Sequence, residues 1–302
     1  MDRLSYLPCT EGMTSHQHPD NLTLITGGTG KTGRRIADRL SARGRPIRIG
    51  SRAGSPAFDW DEPASWAAAL EGVHATYLSY HPDLAVTGAA STVAAFAAAA
   101  VDAGVRRVVL LSGRGEPGAQ QAERAVFDRL QGTETLLTIL RCSWFNQNFS
   151  ENYLLEPILD GLVELPAGSV AEPFVDADDI ADVAVAALTD GRHAGQLYEL
   201  TGPRLLTFAD AVAEIGRASG RSIRYVPVSP REYSAALTAQ GVPAAVIDLL
   251  GYLFTEVLDG RNAHVTDGVP RALGRAPRDF TDYAGSVASS GGWQPAPAVV
   301  AR

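Results

Sequence analysis

Thr26-Gly-Gly-Thr-Gly-Lys-Thr-Gly33 has the residue types and spacing that hold a phosphorylated dinucleotide. Gly28, Gly30 and Gly33 satisfy G-x-G-x-x-G, and Gly27, Gly30 and Gly33 satisfy a G-x-x-G-x-x-G variant. Three glycines have three jobs in such a loop: to allow the turn, to let backbone approach a pyrophosphate, and to let a helix pack closely on its strand. The flanks supply that strand and helix. Leu22 to Ile25 is a branched apolar run, and Ile36 and Leu40 follow at helical spacing. The helix start then offers free N–H groups and partial positive charge to an anion. Gly30-Lys31-Thr32 also suggests a nucleoside-triphosphate loop, but that motif needs glycine five positions before Gly30, where Ile25 stands. The expected cofactor contacts are therefore Gly27, Gly28, Thr29, Gly30, Lys31, Thr32 and Gly33.

Further candidates follow at the ends of later apolar runs. Pro46 to Gly50 reads as a second strand ending in Ser51 and Arg52. An acidic residue there would bind a free ribose 2′-hydroxyl, whereas a guanidinium suits a 2′-phosphate, so NADP(H) is expected over NAD(H). Ala75 to Ser79 reads as a strand that leads to Tyr80 and His81, and Arg107 to Leu111 as one that leads to Ser112 and Gly113. In a doubly wound sheet, ligands lie beyond these strand ends. Ser79, Tyr80, Ser112 and Gly113 therefore join the cofactor set. Thr135 to Arg141 runs into Trp144, Phe145, Asn146 and Asn148. Trp144, Phe145 and Asn148 are expected to form an apolar wall with directional donors for a planar substrate. His81, Ser112 and Asn146 are the expected catalytic groups, with His81 the proton donor because histidine changes charge near neutral pH. The acidic run Asp176 to Asp182 reads as helix capping, and no metal is expected.

Strands alternating with helices over residues 20–150 predict an α/β fold with a doubly wound parallel sheet, to which residues 173–200 return. Within that span Phe58 to Trp60 is expected as a short third strand, and Ala89 to Ala103 as a long helix. Residues 151–172 and 201–285 are expected to form a smaller C-terminal substrate lobe. Residues 1–19 and 286–302 read as disordered tails. The 302-residue chain carries a net charge of -8, which disfavours nucleic acid as a partner. Cys9 and Cys142 are too few for a disulfide framework, and neither a signal layout nor a membrane-length apolar run is present. A cytoplasmic protein is expected, with a small-molecule substrate and room for a homodimer.

Taken together, TGGTGKTG (26–33), the Ser112-Gly113 strand end, LRCSWFNQNFSEN (140–152), FVDADDIADVAVAAL (174–188) and YELTGPRLLTF (198–208) resemble the NmrA-like branch of the atypical short-chain dehydrogenases. Within it, the chain is similar to actinobacterial proteins grouped with ergot-alkaloid-type reductases; the branch also includes tailoring enzymes of aromatic polyketides. The resemblance implies an NAD(P)-binding Rossmann domain and a small substrate lobe. It also exposes a departure. Ordinary short-chain dehydrogenases use Tyr-x-x-x-Lys, and Lys31, in the glycine loop, is the sole lysine here. The expected function is NADPH-dependent hydride transfer to a planar conjugated metabolite such as a quinone, an imine or an aromatic polyketide. Two alternatives stand beside it: a redox-sensing regulator that binds NAD(P) without catalysis, and a polyketide hydroxylation or rearrangement that uses the bound cofactor.

Overall fold

The structure is a computed structural model that describes residues 21–294. The tail expected over 1–19 and the last eight residues lie outside the described ones. The first half alternates β1 (Leu22–Thr26), α1 (Lys31–Ala42), β2 (Ile47–Gly50), α2 (Trp66–Leu70), β3 (Val73–Leu78), α3 (Ala89–Asp102), β4 (Arg107–Gly113), α4 (Pro117–Leu130) and β5 (Leu136–Cys142). The second half contains α5 (Asn148–Glu151), α6 (Leu155–Asp160), β6 (Leu162–Leu165), β7 (Ala171–Glu172), α7 (Ala177–Thr189), β8 (Leu197–Leu200), β9 (Leu206–Thr207), α8 (Phe208–Ser219) and β10 (Arg224–Pro227). It closes with α9 (Pro230–Ala239), α10 (Ala244–Tyr252), a π turn over Leu253–Val257, α11 (Gly268–Leu273) and α12 (Phe280–Ser289).

Six strands form one sheet in the order β2-β1-β3-β4-β5-β8, all pairs parallel. Parallel strands are buried on both faces, which explains why β4 carries the continuous apolar run Val108 to Leu111 rather than an alternating one. Ile36, Ala37 and Leu40 of α1 and the Val/Ala face of α7 cover one side, against Ile25, Tyr77 and Val109. Phe96 of α3 and Val126 of α4 cover the other, against Leu24, Leu78 and Leu110. Each large side chain so buried contributes about 1.5–3 kcal/mol. The strand order reverses at β1/β3, and a ligand crevice opens at such a point. No helix among the described residues is long and apolar enough to cross a membrane.

Three expectations differ from what is observed. Phe58 to Trp60 is not a strand: its rings pack edge-on, Phe58 on Trp60 at 5.0 Å and on Phe96 at 5.6 Å, while Trp66 Nε1–H donates to the Asp59 carbonyl at 2.8 Å. Aromatic packing has taken the residues that a ladder would have used. A second core gathers around Phe149, Phe174, Phe208, Phe254 and Phe280, the first two from segments assigned to the sheet domain, whereas α11, assigned to the lobe, does not belong to it. That helix packs on β8 and α7, so Val269 and Ala272 join the sheet's core. Nor is 286–294 a tail. Helix α12 continues to Ser289, and Trp293 beyond it is fully buried.

Candidate active site

The β1–α1 corner is built from backbone. Gly27 has φ +63°, the left-handed conformation that reverses the chain, and its carbonyl accepts from Gly30 N–H at 2.9 Å. A Cβ on Gly33 would lie 2.8 Å from both Gly27 C and Gly28 Cα, so α1 rests directly on the loop. One on Gly28 would meet Ile49 Cγ2 at 2.8 Å. Gly30 caps α1 with no side chain, which leaves the first-turn amides unclaimed by any cap. Thr26 Oγ1 accepts from Ser79 N–H at 2.8 Å and donates to the Tyr77 carbonyl at 3.1 Å, locking the ends of β1 and β3 together. Tyr77 OH donates to Thr32 Oγ1 at 2.9 Å, and burial pushes that phenol far up, so it stays neutral. An amide cradle with no room for side chains fits a pyrophosphate.

Charge is arranged around the cradle. Burial holds the Lys31 ammonium below its usual pKa against the pull of Glu151, with Arg34 and Arg35 adding to the depression. Glu151 is bridged by Arg34 and Arg35, the latter at 2.7 Å. Arg39 reaches Asp178 at 2.6 Å and Asp182 at 2.7 Å, so α1 and α7 are stitched along their length. Asp176 caps α7 by accepting from Asp178 N–H at 2.7 Å, as the acidic run implied. Arg52, at the end of β2, is exposed and has no ion pair among the described residues.

The other expected site residues do not all converge. Ser79 borders Gly27, with its Oγ 3.3 Å from where a Gly27 Cβ would stand. Tyr80 is half-buried against Trp60, and His81 is exposed at the rim. Ser112 is committed elsewhere: it is 5% exposed and donates to Glu123 Oε1 at 2.6 Å. Behind it runs a ladder in which Arg141 Nε donates to Glu123 at 3.0 Å, Arg141 reaches Glu199 at 3.0 Å and Arg114 reaches Glu199 at 3.4 Å. Asn146 is fully buried and donates to Asp176 Oδ2 at 3.3 Å, so it holds the turn after β5 rather than facing an acceptor. Trp144 and Phe145 diverge, because alternate residues of an extended segment point to opposite sides. Trp144 meets Phe208 and Phe254 of the lobe at 5.3 and 5.1 Å, while Phe145 packs on the sheet's core. Asn148 opens α5.

Two groups of acids escape sequence reasoning, since no motif marks them. Glu172 on β7 is fully buried and accepts from Ser143 Oγ at 3.0 Å, while its Oε1 has no partner. Burial raises its carboxyl to about 7, against the Ser143 hydrogen bond and the Arg114 charge. Asp83 and Glu116 meet in the loops after β3 and β4. A cavity of about 270 Å³ on the far flank of α1, lined by Arg35, Glu151, Asp176, Arg278 and Tyr283, already has matched charges.

No family model matches the chain. An uncharacterized oxidoreductase, YesF of Bacillus subtilis (strain 168), is 34% identical over 280 residues, covering 89% of this chain and 96% of the relative. An NAD(P)H azoreductase of Xenophilus azovorans is 29% identical over 288 residues, covering 90% of this chain and 99% of the relative. Among solved structures, an NADPH-dependent quinone oxidoreductase of Escherichia coli in complex with NADPH superposes with a TM-score of 0.70 at 22% identity. It covers 88% of this chain and 99% of that one, a likeness of fold.

Proposed function

The chain belongs to the NmrA-like branch of the atypical short-chain dehydrogenases, oxidoreductases that use NAD(P)H, and from that we propose that it reduces planar conjugated metabolites at the expense of NADPH. The observation that carries the reading is the side-chain-free amide cradle at the β1/β3 switch point. When bound, the reduced nicotinamide supplies the hydride. The residues of this chain bind and orient. Gly27, Gly28, Thr29 and Gly33 present amides to the pyrophosphate, Gly30 closes the turn by donating to the Gly27 carbonyl, and Ser79 lies beside the loop. The 2′-phosphate is taken by Arg52, whose guanidinium is uncommitted, with Ser51 beside it. Trp144, half-buried where the sheet meets the lobe, offers the flat apolar surface for the acceptor. The azoreductase relative, by its name, reduces a conjugated nitrogen system, which supports an electron-poor planar acceptor for this chain too.

The expected result is NADPH consumption with some members of a panel of naphthoquinones, cyclic imines and azo compounds. Tight NADPH binding without oxidation by any of them would instead favour a cofactor-sensing protein. Arg52→Ala tests the cofactor preference. A two-pronged charged hydrogen bond is worth about 1.5–3 kcal/mol, so calorimetry should show NADPH affinity reduced ~10–100-fold with NADH affinity little changed. Equal losses for both nucleotides would remove Arg52 from that role.

A further inference from the structure

The reduction of a carbonyl-type acceptor needs a proton as well as a hydride, and the chain has no Tyr-x-x-x-Lys to supply it, since Lys31 is its sole lysine. Of the three groups expected to help, Ser112 gives its hydrogen to Glu123, Asn146 is enclosed and His81 stands exposed at the rim. We propose that the Asp83–Glu116 carboxyl pair holds one proton between its two members and delivers it to the acceptor's heteroatom. This deepens the reduction reading and rests on it.

The pair lies where such an acid is needed. Arg52 marks the adenosine side at the end of β2 and the glycine loop marks the pyrophosphate at β1, so the opposite end of a dinucleotide falls over β3 and β4. Asp83 follows β3 and Glu116 follows β4. Glu116 stands at the N-cap of α4 and lays its carboxyl against the Cα of Gly113, in the space a side chain there would fill. The first turn of α4 sits on the Asp83 loop, since a Cβ on Gly118 would lie 2.8 Å from Ala85 Cα. Glu116 is only 7% exposed, and its Oε2 has no hydrogen-bond partner. An enclosed, unsatisfied carboxylate is costly, whereas a carboxylic acid bonded to a neighbouring carboxylate is not.

Burial first, then the charge of Asp83, push Glu116 well above the ordinary carboxyl range. Burial raises Asp83 also, against hydrogen bonds from Ala85 N–H and from Glu116. Two carboxyls in contact cannot both ionise freely, and they titrate as a unit. Tyr252 of α10, from the lobe, also faces them, with Arg261 and Glu256 beyond it. The pair therefore sits at the boundary where the lobe meets the sheet.

In the step itself, hydride adds to a carbon of a quinone-type acceptor, and its electron pair displaces the carbonyl π pair onto oxygen. The Glu116 O–H bond breaks as a new O–H bond forms on that oxygen. The pair is left as two carboxylates and regains a proton from water. Glu116 is the donor, and Asp83 is a positioning residue that keeps the donor protonated at neutral pH.

Infrared difference spectroscopy of the cofactor-free protein should show a protonated carboxyl band at neutral pH that disappears in Glu116→Gln. With a naphthoquinone acceptor, kcat of the wild type should fall as pH rises and the pair loses its proton. Glu116→Gln should lower kcat by ~10²-fold or more, flatten that limb and leave NADPH affinity intact. Asp83→Asn, with no carboxylate to accept the proton's hydrogen bond, should move the limb to lower pH. A merely structural role would lower the melting temperature of both variants without moving the limb. An absent band, or Glu116→Gln turning over with wild-type rate and pH profile, overturns the proposal. If the wild type reduces no acceptor, the function reading fails, and the band still decides whether the pair shares a proton.

Discussion

Gly33→Ala is expected to weaken NADPH binding by ~10²–10⁴-fold. The added methyl would press on the Gly27 carbonyl and stand 2.8 Å from Gly28 Cα, backbone against backbone, with no flexible side chain able to yield. Either α1 moves off the loop or the loop opens. Both break the Gly30 N–H to Gly27 carbonyl bond of 2.9 Å that sets the turn. The cradle then loses two or more amide contacts to a charged phosphate, each worth about 1.5–3 kcal/mol, and overpacking costs about 1–3 kcal/mol of stability besides. Isothermal calorimetry beside a thermal melt separates the two effects. Gly285→Ala is the control: this α12 glycine has no neighbour within 4 Å of its Cβ position, and alanine is the better helix former. If Gly33→Ala binds NADPH as the wild type does, the dinucleotide site is elsewhere.

The loop was legible in the sequence because its constraint is local: three glycines at fixed spacing between an apolar run and a helical one describe a single turn. The same holds for the acidic run read as helix capping, where Asp176 accepts from Asp178 N–H at the start of α7. What was not legible depends on contacts between distant residues. Ser112 looked catalytic from its place at a strand end, but Glu123, on the next helix, claims its hydrogen, and Arg141 from the neighbouring strand holds Glu123 in place. Trp144 and Phe145 looked like one wall, though adjacent positions in an extended segment face opposite ways. Asp83 and Glu116 are far apart in the chain and carry no motif, and only the β3–β4 pairing brings their loops together. Composition misled at the C-terminus, where a Gly- and Ser-rich stretch hides a tryptophan that the lobe's core requires.

Trp293→Ala should be the most destabilising single change in the lobe, at about 3–5 kcal/mol, or a fall in melting temperature on the order of 10 °C for a chain of this size. The indole is fully buried, its ring meets Tyr283 edge-on at 5.8 Å, and its Nε1–H donates to the Phe149 carbonyl at 2.9 Å. Arg221 fixes the backbone there by donating to the Trp293 carbonyl at 3.0 Å. Trp293→Phe keeps most of the apolar burial but leaves the Phe149 carbonyl without its donor, so it should cost about 1–3 kcal/mol and fall between the wild type and the alanine variant. Activity should follow stability, because Phe149 lies just beyond the turn that carries Trp144. The alanine variant should accordingly show a higher KM for the acceptor at temperatures well below its melt. A melt indistinguishable from the wild type would mean that the segment after α12 only decorates the lobe.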